Sequence, residues 1–308
     1  MTIVLAFDLG GTRLKAGVVD ATAMQVLASD TADVAGMDAD TALDVVAGVG
    51  RRLLDAVGAA GKARPLVASG MALPGIVDAG RVQVLPGKLA GIEGRDLRAW
   101  LRDRFGASVA VVDNDAVAHA MGEVTAWSAE GLLDARICVL TVGTGIGCTV
   151  LEGGQPALPG PWGRGMLGGH LPIADPVGPL DTAGRSGTFE ARCRADRIVG
   201  EAREAGCSLD DVPGVYAAAR AGEPAALAGL AAYRRWLVRG LVAITNAYAP
   251  SHVLLGGGPI TPDGLLLDGV QQALEAQVWA GTCPSVRATR LDTDAALLGV
   301  AVMVRRAQ

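Results

Sequence analysis

Residues 3–20 read IVLAFDLGGTRLKAGVVD. A short apolar run ends at Asp8, the turn Gly10-Gly11-Thr12 follows, and LKAGVV (14–19) alternates as a returning strand, so the stretch predicts a hairpin. The pattern recurs farther on. RICVLTV (136–142) reads as a strand, Gly143-Thr144-Gly145-Ile146-Gly147 as its turn, and CTVLE (148–152) as the returning strand. A strand–glycine turn–strand unit that appears twice points to an internal duplication.

Working outward, residues 24–30 supply a third strand, and 39–61 carry apolar residues at helical spacing. LVASGM (66–71) is a buried strand closed by Leu73-Pro74-Gly75. Residues 95–105 are helical, SVAVVD (108–113) is a strand ending at Asn114-Asp115, and 116–129 a helix. The stretch 153–188 is rich in Gly and Pro and lacks periodicity, the mark of a functional loop. Helices are expected over 189–206, 215–248, 265–280 and 294–306, with the strand HVLL (252–255) entering Gly256-Gly257-Gly258.

Composition sets bounds. Of 308 residues, 50% are hydrophobic and 19% charged, enough for a sizeable core and too apolar for dominant disorder. A net charge of −5 offers no basic stripe for a nucleic-acid backbone. Among 27 basic residues only Lys15, Lys62 and Lys88 are lysines, so a lysine within a motif stands out. The five cysteines are scattered without a CxxC pair, which disfavours a disulfide framework or zinc ribbon. With no basic leader and no apolar run of ~18 residues, neither a signal peptide nor a membrane span is expected, and the default is a cytoplasmic protein.

Five motifs carry chemistry. At Asp8–Lys15, a strand-end carboxylate, two glycines and a hydroxyl suit a phosphate, and Asp8 can hold Mg²⁺ through water; the plain alternative is a tight turn with a solvated Asp. The 143–147 turn repeats that logic. Asp115, at a strand's carboxyl end, suits a general base, and equally a helix N-cap. Gly256–Gly258 would let backbone lie against a flat ligand such as adenine, or form an ordinary turn. In the long loop, Gly169-His170, with Glu190 twenty residues on, suits polar recognition of a sugar, though a lone His is more often structural.

In this order the motifs resemble the ROK family (repressor, open reading frame, kinase), glucokinase-like bacterial sugar kinases of the actin/hexokinase superfamily. The resemblance is carried by DLGGTRLKAGVVD (8–20), GMALPGIVD (70–78), DNDAVAHAMGE (113–123), LTVGTGIG (140–147), GGH (168–170), GRSGTFE (184–190) and LLGGGPI (254–260). It implies a two-lobed α/β fold with a ribonuclease-H-like core and an interlobe cleft, the lobes taken as 1–115 plus 293–308 and 116–292. It implies ATP- and Mg²⁺-dependent phosphorylation of a sugar hydroxyl with Asp115 as catalytic base. Asn114, His170, Glu190 and Gly75 would contact the sugar. Asp8, Gly10, Gly11, Thr12, Lys15, Thr144 and Gly145 would serve the phosphates, and Gly256, Gly257 and Gly258 the adenosine. A homodimer is also suggested.

The departures are specific. Leu167 stands where the family has a sugar-binding Glu, and Val117 where a second Asn is common. Asp181, Ala183 and Thr188 replace the three cysteines of the family's zinc motif. No structural zinc is therefore expected; His170 would be free to hydrogen-bond with either nitrogen, and Phe189 and Trp162 would pack the loop. The acceptor is expected to be less polar near Leu167. Because the chain opens on its first strand, no helix-turn-helix is expected. The rival readings are a catalytically silent sugar-binding module, and a kinase for an amino sugar, anhydrosugar or cyclitol. Whether the donor is ATP or polyphosphate stays open.

Overall fold

The computed structural model describes residues 2–58, 68–85, 87–157 and 166–308. The ends of the predicted helix 39–61 and strand 66–71, and Trp162, lie outside the described residues. The chain forms two units.

The first unit takes Met1–Glu130 and Leu291–Gln308. β1 (Ile3–Leu9) pairs antiparallel with β2 (Arg13–Asp20), and β3 (Gln25–Asp33) pairs onto β2. α1 (Ala39–Val57) starts where the Asp38 side chain accepts the Thr41 N–H, and it buries Leu43, Val46, Val49 and Leu53 along one stripe. β4 (Ala68–Leu73) lies parallel to β1 on its other side. A small ribbon, β5 (Ile76–Asp78) with β6 (Arg81–Val84), was not legible in the sequence. α2 (Leu97–Phe105) leads into β7 (Val109–Asn114), parallel to β4, and α3 (Asp115–Thr125) follows directly. The sheet order is β3-β2-β1-β4-β7. Leu5, Phe7 and Leu9 join the core formed with α1 and α2, where Phe7 stacks on Phe105 at 5.5 Å; Val4 and Ala6 are equally buried. With both faces covered, β1 reads as an unbroken apolar run.

The second unit takes Gly131–Leu158 and Arg164–Arg290. β8 (Arg136–Val142) pairs antiparallel with β9 (Ile146–Glu152), and β10 (Gln155–Pro156) adds to β9. The helix expected over 189–206 is two, α4 (Phe189–Cys193) and α5 (Asp196–Glu204), broken where Arg194 turns extended (ψ 158°). The 215–248 segment is α6 (Val212–Arg220) and α7 (Pro224–Tyr248), with Pro224 opening the second helix. β11 (His252–Gly256) lies parallel to β8; α8 is only Val270–Glu275, and β12 (Ser285–Ala288) closes the sheet. The order β10-β9-β8-β11-β12 repeats the first sheet strand for strand, with the same directions, so the duplication read from the two hairpins extends to whole sheets.

α9 (Ala295–Ala307) returns to the first unit, with residues 295–304 all buried. It meets α3 at two glycines: a Cβ on Gly122 would fall 1.9 Å from Ala295 O, and one on Gly299 1.7 Å from Ala118 O. That close crossing keeps α3 in the first unit, so its boundary falls after Glu130 rather than after Asp115. Among the described residues no helix is long and apolar enough to cross a membrane.

Candidate active site

Asp8 and Asp113 are both level with Ala72 across the parallel strands β1, β4 and β7, and Asp115 lies two residues past Asp113. Asp8 and Asp115 thus lie toward the carboxyl ends of β1 and β7, the strands on either side of β4, where open α/β sheets place ligands. Burial, then the nearby Asp115 charge, pushes the Asp8 carboxyl up to about 7, with Lys15 pulling the other way. Burial also raises Asp115, while the Ala116 N–H (2.8 Å), Lys88 and Asn114 hold it back. The two buried carboxyl groups offer hard oxygen donors close together. Those residues fit Mg²⁺.

Asn114 is the N-cap of α3: its Oδ1 accepts from Ala116 N (2.9 Å) and Val117 N (3.3 Å). Its Nδ2 donates to Gly75 O at 2.9 Å. Asp115 Oδ1 shares the Ala116 N–H (2.8 Å), and Asn114 and Gly75, both expected on the sugar, are bound to each other.

In the β1–β2 turn, Gly10 N–H donates to Arg13 O (2.9 Å), and Thr12 is exposed. Lys15 is tied down within the first unit. Its ammonium donates to Thr293 O (2.6 Å), Thr293 Oγ1 (2.8 Å) and Asp294 Oδ1 (2.7 Å), which uses all three of its protons to pin the approach to α9. Lys88, absent from the sequence-based site, lies across Gly11; the one signal for it was the scarcity of lysine.

In the second unit the 143–147 turn is braced from outside. Gly143 O accepts Ala195 N–H (2.8 Å), and Ile146 N–H donates to Glu190 Oε2 (2.8 Å). Glu190 Oε1 accepts from Thr182 N (2.7 Å) and from the Thr182 hydroxyl. Buried and with both oxygens engaged, Glu190 braces the turn. Thr144 is exposed at the tip and Gly145 is half-buried. Gly169 packs where a Cβ would sit 2.5 Å from Ile146 O, which brings His170 beside the turn. His170 Nδ1 is committed to Asp181 Oδ2 (2.9 Å), so only Nε2 is available to a ligand. Leu167 is 46% exposed. Gly256 ends β11, and Gly257 O accepts Ile260 N–H (2.9 Å) in the turn that follows.

His170, Asp181 and Glu190 bring one ligand atom each within 4.8 Å of one another. The set does not fit a structural zinc. It contains no thiolate, and its carboxylates are already satisfied. Asp181 Oδ1 accepts from Ala183 N (2.9 Å) and Arg185 N (2.8 Å), and Oδ2 from His170 and the Thr188 hydroxyl (3.0 Å). Burial raises the Asp181 carboxyl, but the Arg185 N–H, His170 and Thr188 outweigh it and hold it below the usual carboxylate range.

The chain was compared with known proteins. The ROK family model matches residues 4–307. A beta-glucoside kinase from Klebsiella pneumoniae is 28% identical over 96% of this chain and 94% of its own. The ROK hexokinase from Thermus thermophilus superposes with a TM-score of 0.78 at 29% identity, covering 99% of this chain and 98% of that one. A ROK family glucokinase from Streptomyces griseus, in complex with glucose and AMPPNP, superposes at 0.77 with 24% identity and 99% of each chain covered. The repeated sheet and the match along nearly the whole chain lead to one assignment: this protein belongs to the ROK family.

Proposed function

We propose that this chain is an ATP-dependent kinase that phosphorylates a hydroxyl of a sugar or sugar-like polyol, with Asp115 as general base. The observation that carries the reading is the pair of buried carboxylates, Asp8 and Asp115, at the carboxyl ends of β1 and β7. Asp115, raised by burial toward the working pH, takes the proton of the acceptor hydroxyl. The hydroxyl oxygen then bonds to the γ-phosphorus, the bond to the bridging oxygen breaks, and ADP leaves. Asp8 would hold Mg²⁺ through water, and the metal supplies charge neutralisation for the transferring group. We assign Gly10, Gly11 and Thr12 in one unit, and Thr144 and Gly145 in the other, to phosphate contacts, and Gly256–Gly258 to the adenosine. His170 offers Nε2 to the sugar. Asn114, Gly75, Lys15 and Glu190 hold these elements in place. The AMPPNP complex of the Streptomyces griseus glucokinase supports ATP as donor.

A second reading concerns the acceptor. Leu167, exposed three residues before His170, offers an apolar surface and no hydrogen-bond acceptor, which favours a sugar whose neighbouring oxygen is alkylated or absent. The Klebsiella relative is a beta-glucoside kinase. A coupled ADP-release screen with glucose, methyl β-glucoside, amino sugars, anhydrosugars and cyclitols tests both readings. Leaving a hydroxyl buried without a partner costs roughly 1–3 kcal/mol. The β-glucoside should thus exceed glucose in kcat/KM by about 5- to 150-fold. Equal use of both sugars contradicts the second reading, and no sugar-dependent ADP release at all contradicts the first.

A further inference from the structure

The glycine turns of the two hairpins are covered by side chains of opposite charge. In the second unit Glu190 lies over Gly145, where a Cβ would sit 2.6 Å from Glu190 Oε2. That carboxylate is already matched by the Ile146 N–H and by Thr182. In the first unit the stem of Lys88 lies over Gly11, where a Cβ would sit 2.5 Å from Cδ, 3.0 Å from Cε and 3.1 Å from Cγ. With three successive carbons this near, the stem runs across the turn. The ammonium is one C–N bond of about 1.5 Å beyond Cε, so it lies within about 4.5 Å of the same point. Lys88 is exposed, and among the described residues its ammonium has no hydrogen-bond or ion-pair partner.

The choice of lysine is informative in a chain that has only three, because lysine is a compact point charge where arginine is a planar fork. Lys15 spends its three protons on Thr293 and Asp294, so the turn's free lysine is Lys88. The loop that presents it is pinned. Leu89 takes a left-handed backbone (φ 47°) with its side chain only 3% exposed. Leu85 N–H donates to Glu93 Oε1 (2.7 Å), and Ala39 N–H to Ala90 O (2.9 Å). A non-glycine residue stays left-handed only where its surroundings enforce it, and such residues cluster at functional sites. A cation held on an enforced loop needs little reordering to meet a ligand. An unspent cation beside a glycine turn and the exposed Thr12 suits a phosphate. The phosphoryl group that moves must lie beside the base, and Asp115, Asp8, Gly11 and Lys88 all belong to the first unit.

We propose that Lys88 is a substrate-binding residue for the transferring phosphoryl group: laid across Gly11, its ammonium contacts the terminal phosphate of the nucleotide and takes up charge on its oxygens during transfer. The inference rests on the kinase reading above, and equilibrium binding lets the two fail separately. Calorimetric titration with AMPPNP, ADP and AMP in the presence of Mg²⁺ needs no turnover. Loss of a hydrogen bond to a charged group weakens binding by about 10- to 150-fold. Lys88→Met should lose that much affinity for AMPPNP and less than about twofold for ADP and AMP, which shows that the turn itself is intact. Lys88→Arg, which keeps the charge, should recover part of the loss. In turnover, kcat/KM for ATP should fall in Lys88→Met by at least the same factor. Equal losses for AMPPNP and ADP, no loss for AMPPNP, or an unchanged kcat/KM for ATP overturns the proposal. A loss confined to AMPPNP in a protein that phosphorylates no sugar upholds the contact and overturns the kinase reading instead.

Discussion

The proposed chemistry rests on Asp8 and Asp115, and Asp8 leaves a mark on stability. Its folded pKa is about 7, against an ordinary value of 3.8. Between those values the unfolded chain releases a proton that the folded chain keeps, so stability falls as pH rises from about 4 to about 7 and is level above. Asp8→Asn removes that loss. In thermal melts without Mg²⁺ the variant should gain several degrees in Tm over wild type at pH 8 and nearly none at pH 4; a gain that does not depend on pH would contradict the shift. Much at this scale was legible in the sequence. A carboxylate at a strand end before a glycine turn or a helix announces itself within a few residues. What was not legible was partnership across long separations. Lys15 meets Thr293, 278 residues away, and Glu190 meets Ile146, 44 residues away. Local pattern could not separate cap from base at Asn114-Asp115 either, because both residue types cap helices well.

Among the elements, the two hairpins and the helices that bury a stripe were readable from periodicity. Strands of two to four residues, β5, β6, β10 and β12, were not, being too short to show a period. The 166–190 loop shows why glycine-rich sequence resists reading. Its order comes from one carboxylate, Asp181, that gathers two backbone N–H groups, a hydroxyl and an imidazole. Asp181 thus crosslinks the loop by hydrogen bonds at a position where the resemblance implies a zinc-binding cysteine. Metal analysis of protein purified without a His tag should find well under one zinc per chain, and chelation should leave Tm unchanged. Stoichiometric zinc lost together with Tm on chelation would contradict this account.

The whole molecule is one sheet plan built twice, and the first copy is completed only when α9 returns from the far end of the chain. Its contact with α3 depends on Gly122 and Gly299, each facing the partner's backbone with no room for a methyl group. Overpacking of this kind costs typically ~1–3 kcal/mol and more where backbone must move. Gly122→Ala should therefore lower Tm clearly, by more than an alanine at the open Gly143. An unchanged Tm in Gly122→Ala would mean that the two helices do not meet so closely.

The central claim is phosphoryl transfer to a sugar hydroxyl with Asp115 as base, and steady-state ADP release measured side by side in wild type and Asp115→Asn tests it most directly. The account predicts sugar-dependent turnover in the wild type, a loss of about 10²–10⁴-fold in kcat in the variant, and an Asp115→Asn protein that is at least as stable as wild type, since it no longer buries a charge. An Asp115→Asn variant that keeps the wild-type kcat would contradict it.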